Sequence, residues 1–308
     1  MKKILLTGAY KYSEKQLELI KDLGLDIDFQ QYESEKVENS EKYNAVVCNS
    51  LFESNNIKNF KKLEYVQLTS AGYDRVSMKY IKENNIEIKN ARGVYSVPIA
   101  EHTIMLILEL MRNSKFYYEN QNNHEWKKNR RAIELYKKTA VIAGCGSIGL
   151  EIAKRLKAFD MNVIGLDICY IDSDYLNECE NINELNKIAN KADVFISAMP
   201  YTESTHHIFD NSFFHSMKSN SIFVNISRGK VVDEQALVKA LKQGVIIGAA
   251  IDVFEEEPLQ KDNEIWDLNN LIITPHNSFV GDGNVDRMFK VIYDNLKEYV
   301  LLRGENIN

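Results

Sequence analysis

Short apolar runs alternate along the chain with stretches whose apolar residues recur every three or four positions. Runs at 4–7, 45–48, 65–68 and 86–88 read as strands, with helical patterns between them. The rhythm resumes at Val141 and continues through 163–166, 194–197, 222–226, 245–251 and 271–273. Strands that alternate with helices imply parallel sheets covered by helices. Six strands from Val141 onward are what a doubly wound nucleotide domain needs, and the first hundred residues hold a separate set of βα units. The expected class is therefore α/β: two Rossmann-like or flavodoxin-like domains with doubly wound parallel sheets and a cleft between them. The apolar stretch 99–111 carries Glu101, His102 and Glu109 and is too short for a membrane span, so it reads as a buried helix with Pro98 at its start.

The segment AVIAGCGSIGLEIAKRLKAFDMNVIGLD, residues 140–167, joins these patterns to chemistry. Gly144, Gly146 and Gly149 follow an apolar run and precede Ile148, Ile152, Leu156 and Phe159, which are spaced as on one helix face. Gly144 permits the tight turn, Gly146 lets backbone approach a pyrophosphate, and Gly149 lets helix pack on strand. The helix-start amides face the anion. A second apolar run ends at Asp167, about twenty residues on, where a carboxylate accepts from ribose hydroxyls and repels a 2′-phosphate. No Arg follows in Ile168-Cys169-Tyr170, so NAD is favoured over NADP.

Composition narrows the picture. At 308 residues the chain exceeds one usual core. With 44% hydrophobic and 27% charged residues it is an ordinary globular composition. The net charge of −6 speaks against nucleic acid and anionic membrane surfaces as partners. Cys48, Cys145, Cys169 and Cys179 show neither metal-ligand pairing nor a disulfide framework, and MKKILLTG is too short in apolar residues for a signal segment. A reduced, cytoplasmic setting is expected. The basic run WKKNRR, 126–131, reads as a solvated loop.

Three further stretches end predicted strands, where open α/β sheets bind ligands: NISRG at 225–229, DVFEEEP at 252–258 and TPH at 274–276. Arg228 can pair bidentately with a carboxylate beside a carbonyl. His276 can exchange the proton that accompanies hydride transfer, and Glu257 can orient the ring and favour its charged form. His206, His207 and His215 lack metal-ligand spacing, so no metal site is expected, and His102 on the apolar helix reads as structural.

The sequence resembles the D-isomer-specific 2-hydroxyacid dehydrogenase family along essentially its whole length. The carriers are TSAGYD at 69–74, PIAEHT at 98–103, GCGSIG at 144–149, NISRGKVVDEQALVKAL at 225–241, GAAIDVFEEEPL at 248–259 and TPH at 274–276. The resemblance implies an Arg228, Glu257, His276 triad, with Glu255 and Glu256 as bystanders. It implies turn amides at Ser70, Ala71 and Gly72 on the substrate carboxylate. For NAD it implies Ser147 and Ile148 at the pyrophosphate, Asp167 at the ribose, Met199 and Pro200 beside the adenosine, Ile226 by backbone, and Asp252 at the nicotinamide amide. It further implies a substrate-binding domain, 1–98 plus 276–308, hinged on an NAD domain, 99–275, and a homodimer.

Two departures stand out. His276 is followed by Asn277, Ser278 and Phe279 where many relatives have a small residue, and Asn49-Ser50 stand where phosphoglycerate-type members place an Arg, so a phosphorylated substrate is not expected. Glu257 argues against the Gln-bearing formate dehydrogenases. The leading expectation is an NAD-dependent reductase of small 2-keto acids giving the D-hydroxy acid. The alternative is an NAD-sensing, corepressor-like binding protein, disfavoured by the lack of an evident interaction tail.

Overall fold

The computed structural model describes residues 1–304, which form two compact units: residues 1–95 with the segment from Gly281 onward, and residues 96–280. The divisions thus fall at 95/96 and 280/281, where the resemblance implied 98/99 and 275/276.

The first unit is one parallel sheet. Its strands are β1 (Lys2–Thr7), β2 (Leu25–Gln30), β3 (Ala45–Cys48), β4 (Tyr65–Leu68) and β5 (Glu87–Lys89), in the order β2-β1-β3-β4-β5. That is the flavodoxin-like winding, with its switch between β1 and β3. The central strands β3 and β4 are buried at every position, as expected of parallel strands covered on both faces. Strand β2 escaped the sequence reading because it is an edge strand, half-exposed, whose apolar residues alternate with Asp and Gln rather than running together.

Helix α1 (Glu14–Lys21) starts in a capping box, in which the Ser13 hydroxyl accepts from the Gln16 amide and the Gln16 side chain accepts from the Ser13 amide. The helices α2 (Leu51–Ser54) and α3 (Met78–Glu83) follow β3 and β4. The chain returns to this unit at its far end. There Met288, Ile292, Leu296 and Tyr299 of the terminal helix, Asn284–Gly304, pack with Ile4, Leu6 and Tyr65. Tyr65 and Tyr299 stack with ring centres 4.6 Å apart.

The second unit opens with α4 (Ser96–Arg112) and α5 (Ser114–Asn122). Helix α4 begins before the position expected for it, and Pro98 lies inside its first turn, where a missing amide hydrogen costs no intrahelical bond. Strands β6 (Thr139–Ala143), β7 (Asn162–Asp167), β8 (Glu178–Asn181), β9 (Val194–Ser197), β10 (Ile222–Asn225), β11 (Gly248–Ile251) and β12 (Leu271–Ile273) build a sheet in the order β12-β11-β10-β9-β6-β7-β8. Every pair is parallel. The winding reverses between β6 and β9, so the switch point lies at the end of β6.

This sheet has seven strands, not six. The missed one, β8, reads ECEN and sits at the edge, so no apolar run announces it. The apolar run from 245 also overstated its strand. Val245, Ile246 and Ile247 complete the turn after Gly244, which has φ +67°, and β11 starts only at Gly248.

Helices α6 (Ser147–Lys157), α7 (Leu185–Ala189), α8 (Asn211–Ser216) and α9 (Glu234–Lys242) complete the unit, and the terminal helix Asn284–Gly304 becomes α10. The core includes a group of edge-to-face rings, Phe195, Phe209, Phe213, Phe214 and Phe223. Phe159 lies beyond the end of α6 and is partly exposed, so the apolar face of that helix is Ile152, Ala153 and Leu156. The run 126–131 is irregular and largely exposed, with Trp126 98% accessible.

Candidate active site

The end of β6 forms a tight turn. Gly144 has φ +95°, and a Cβ there would come within 2.7 Å of the Ala198 carbonyl and the Met199 amide nitrogen. A Cβ on Gly149 would overlap the carbonyl oxygen of Gly144, so α6 crosses the turn at backbone contact. Gly146, the residue before α6, is the opposite case, with nothing within 4 Å of where a Cβ would stand. Two glycines thus close the turn and the third leaves open space against a helix start whose first amides lack intrahelical acceptors. Cys145, within this loop, is buried, and burial pushes its thiol up to about 12, which keeps it a neutral filler.

Asp167 is the last residue of β7. Its Oδ2 accepts from the Cys145 amide at 2.8 Å and its Oδ1 from the Ile168 amide at 2.8 Å. The other strand ends complete the same edge. Met199 is buried just past β9, with Pro200 exposed beside it. Ile226 follows β10, buried, its amide bonded to the Ser197 carbonyl at 3.3 Å.

Arg228 is half-buried on the loop after β10, with a guanidinium N–H donating to the Ser227 carbonyl at 2.8 Å. Buried Asn225 shapes this loop, because its side chain donates to the Arg228 carbonyl at 3.0 Å and accepts from the Ser227 amide and hydroxyl. Gly229 is required where it stands, since a Cβ would overlap the Phe254 carbonyl group.

Glu257 and His276 meet. Nδ1 of His276 lies 2.7 Å from Oε2 of Glu257, and the other carboxylate oxygen accepts from the Phe254 amide at 3.0 Å. Glu257 is thereby fixed to its own loop while holding the imidazole, and both side chains remain solvent-accessible. The Phe279 and His276 rings stand edge to face with their centres 6.2 Å apart.

Two residues have settings that the sequence alone does not show. Asp252 is wholly buried, its oxygens taken by the Thr274 hydroxyl and the Asn277 and Ser278 amides. Glu255 is a brace. Its carboxylate accepts from the Glu234 amide at 3.1 Å, and Glu234 accepts from the Glu255 amide at 2.6 Å, which ties this loop to the start of α9. Burial raises the Glu234 carboxyl above the usual carboxylate range. The sequence offered no cue for this crossed pair, which depends on two loops meeting in space.

Ser70, Ala71 and Gly72 lie in the first unit, on the turn after β4. The Ser70 hydroxyl donates to the Gly72 carbonyl at 3.0 Å, and Asn90 donates to the Ala71 carbonyl at 2.6 Å, so the turn is held from both sides.

Residues 104–278 match the family model for the NAD-binding domain of the D-isomer specific 2-hydroxyacid dehydrogenases. The chain belongs to this family. It is 36% identical over 81% of its length to a D-3-phosphoglycerate dehydrogenase of Methanocaldococcus jannaschii, covering 47% of that protein. It is 33% identical over 80% of its length to a glyoxylate reductase of Pyrococcus horikoshii, covering 76% of that one. The chain spans about half the length of the phosphoglycerate dehydrogenases it matches. Among solved structures, a D-isomer specific 2-hydroxyacid dehydrogenase family protein from Aeromonas salmonicida superposes with a TM-score of 0.79 at 28% identity, over 97% of this chain and 96% of that one.

Membership in this dehydrogenase family makes NAD the cofactor of the second unit. The residues present fit it, because the open position at Gly146 leaves backbone room at the helix start and Asp167 supplies an acidic group at the end of the next strand. Among the described residues, no helix is long and apolar enough to cross a membrane.

Proposed function

We propose that this chain is an NAD-dependent D-2-hydroxyacid dehydrogenase that interconverts a small 2-keto acid and its D-2-hydroxy acid. The observation that carries the reading is the 2.7 Å contact between His276 Nδ1 and Glu257 Oε2. It leaves Nε2 to deliver a proton to the carbonyl oxygen in the reducing direction and to remove it in the other. The bound dinucleotide supplies or accepts the hydride at the carbonyl carbon. Arg228 holds the carboxylate and polarises the carbonyl. The turn at Ser70, Ala71 and Gly72 offers a further carboxylate contact from the unit assigned to substrate binding. Gly144, Gly146, Ser147, Ile148, Gly149, Asp167, Met199, Pro200 and Ile226 hold the cofactor, with Asp252 on the nicotinamide side.

The glyoxylate reductases among the relatives support a short keto acid. Asn49 and Ser50 at the end of β3 offer no cation for a phosphate. The reading includes a homodimer in the cytoplasm. The test is NADH consumption over a panel of 2-keto acids that differ in side-chain length and charge. Turnover of glyoxylate, pyruvate or hydroxypyruvate, with a D-configured product where the carbon is chiral, is the expected result. Tight NADH binding with no turnover across the panel overturns the enzyme reading in favour of an NAD-sensing protein.

A further inference from the structure

His276 carries a left-handed backbone, with φ 50°. That conformation costs a non-glycine residue on the order of 1 kcal/mol and persists only where its surroundings impose it. Three consecutive amides show what imposes it. The His276 amide donates to the Asp252 carbonyl at 2.8 Å, the Asn277 amide to Asp252 Oδ1 at 2.9 Å, and the Ser278 amide to Asp252 Oδ2 at 3.0 Å. Wholly buried Asp252 thus holds three successive amides of the backbone on which the imidazole is mounted, and the Thr274 carbonyl also accepts from the His276 amide at 3.0 Å.

The Asp252 carboxylate has a further partner. The Thr274 hydroxyl donates to Oδ1 at 2.5 Å, and the same hydroxyl oxygen lies 3.1 Å from Nε2 of His102 on α4. A hydroxyl has one proton to give. Thr274 gives it to the carboxylate, so its oxygen accepts from His102, whose Nε2 carries the hydrogen. Burial lowers the His102 pKa, which keeps the ring neutral with one N–H to donate. The donors therefore run in one direction, from His102 to Thr274 to Asp252.

We propose that Thr274 and His102 are positioning residues, holding the Asp252 carboxylate in the orientation that sets the His276 backbone and so aims its imidazole at Glu257. The proposal rests on the reading of His276 and Glu257 as the proton-transfer pair. Its ring-positioning half is measurable without any substrate.

Four variants test it. Thr274→Val removes the hydroxyl at nearly constant shape, and Thr274→Ser keeps it. His102→Phe removes the N–H, and His102→Gln keeps a donor. The expected result for the Val and Phe variants is a kcat lower by on the order of 10- to 100-fold with NADH affinity within about twofold of the parent. In the same two variants the NMR titration of the His276 ring moves toward that of Glu257→Gln. The Ser and Gln variants stay with the parent in both readouts.

A His276 titration unchanged in both the Val and Phe variants overturns the proposal, as does an equal loss in the Ser and Gln variants. If Thr274→Val does not fold, the His102 pair decides. A chain that turns over no 2-keto acid, yet whose His276 titration moves in the Val and Phe variants, keeps the relay and overturns only the reaction.

Discussion

The backbone amide of Cys145 donates to Oδ2 of Asp167 at 2.8 Å, which joins the glycine turn to the acidic residue at the end of the neighbouring strand. The carboxylate is therefore set in place by the protein before any ribose hydroxyl reaches it. Asp167→Ala removes both the acceptor and the charge that repels a 2′-phosphate. NADH affinity is expected to fall about tenfold or more, and NADPH affinity much less. Fluorescence titration with both cofactors checks this, and an equal loss for the two contradicts the assigned role.

Glu257→Gln keeps the size of the side chain and an acceptor oxygen but removes its charge. The His276 imidazole then loses the charged partner that lies 2.7 Å from its Nδ1. Turnover falls on the order of 10²-fold. Arg228→Ala lowers kcat/KM for the keto acid by a similar order while NADH binding persists. Turnover by Glu257→Gln equal to the parent's contradicts the dyad.

The glycines of the turn separate stability from binding. Gly149→Ala forces a Cβ onto the Gly144 carbonyl oxygen and is expected to cost about 1–3 kcal/mol. Gly146→Ala meets nothing within 4 Å, so stability changes by about half a kcal/mol or less while NADH binding weakens. Urea midpoints and NADH titrations on the pair check both halves.

His102 makes stability depend on pH. Burial is the main cause that lowers its pKa in the folded chain below the ordinary 6.5. In the window between the two values the unfolded chain binds more protons, so stability rises with pH. Its contribution is complete above 6.5 and is lost as pH falls toward the folded value. His102→Gln removes this component, and unfolding midpoints followed over about pH 5 to 7.5 should show a shallower decline than the parent's. Parallel declines contradict the assignment.

Much of this was legible along the chain. The central strands announced themselves because burial on both faces demands unbroken apolar runs, as at 45–48 and 194–197. The glycine spacing with Asp167 was legible because a tight turn and a close helix crossing each exclude side chains at fixed positions. The edge strands β2 and β8 were not, since half-exposed strands tolerate polar residues and lose the run that marks them. The resemblance marked Asp252 as a candidate but not its setting, because burial and the approach of three later amides are properties of the fold.

The sequence by itself determined the βα alternation and the glycine turn and marked Arg228, Glu257 and His276 as candidates, because period, turn chemistry and strand-end position are local properties of the chain. Tertiary structure alone decided that Glu257 Oε2 and His276 Nδ1 meet, that Glu234 and Glu255 brace each other's backbone, and that the terminal helix returns to the first sheet. Such contacts join residues far apart in sequence, and only the winding of parallel strands brings their ends to one edge of a sheet.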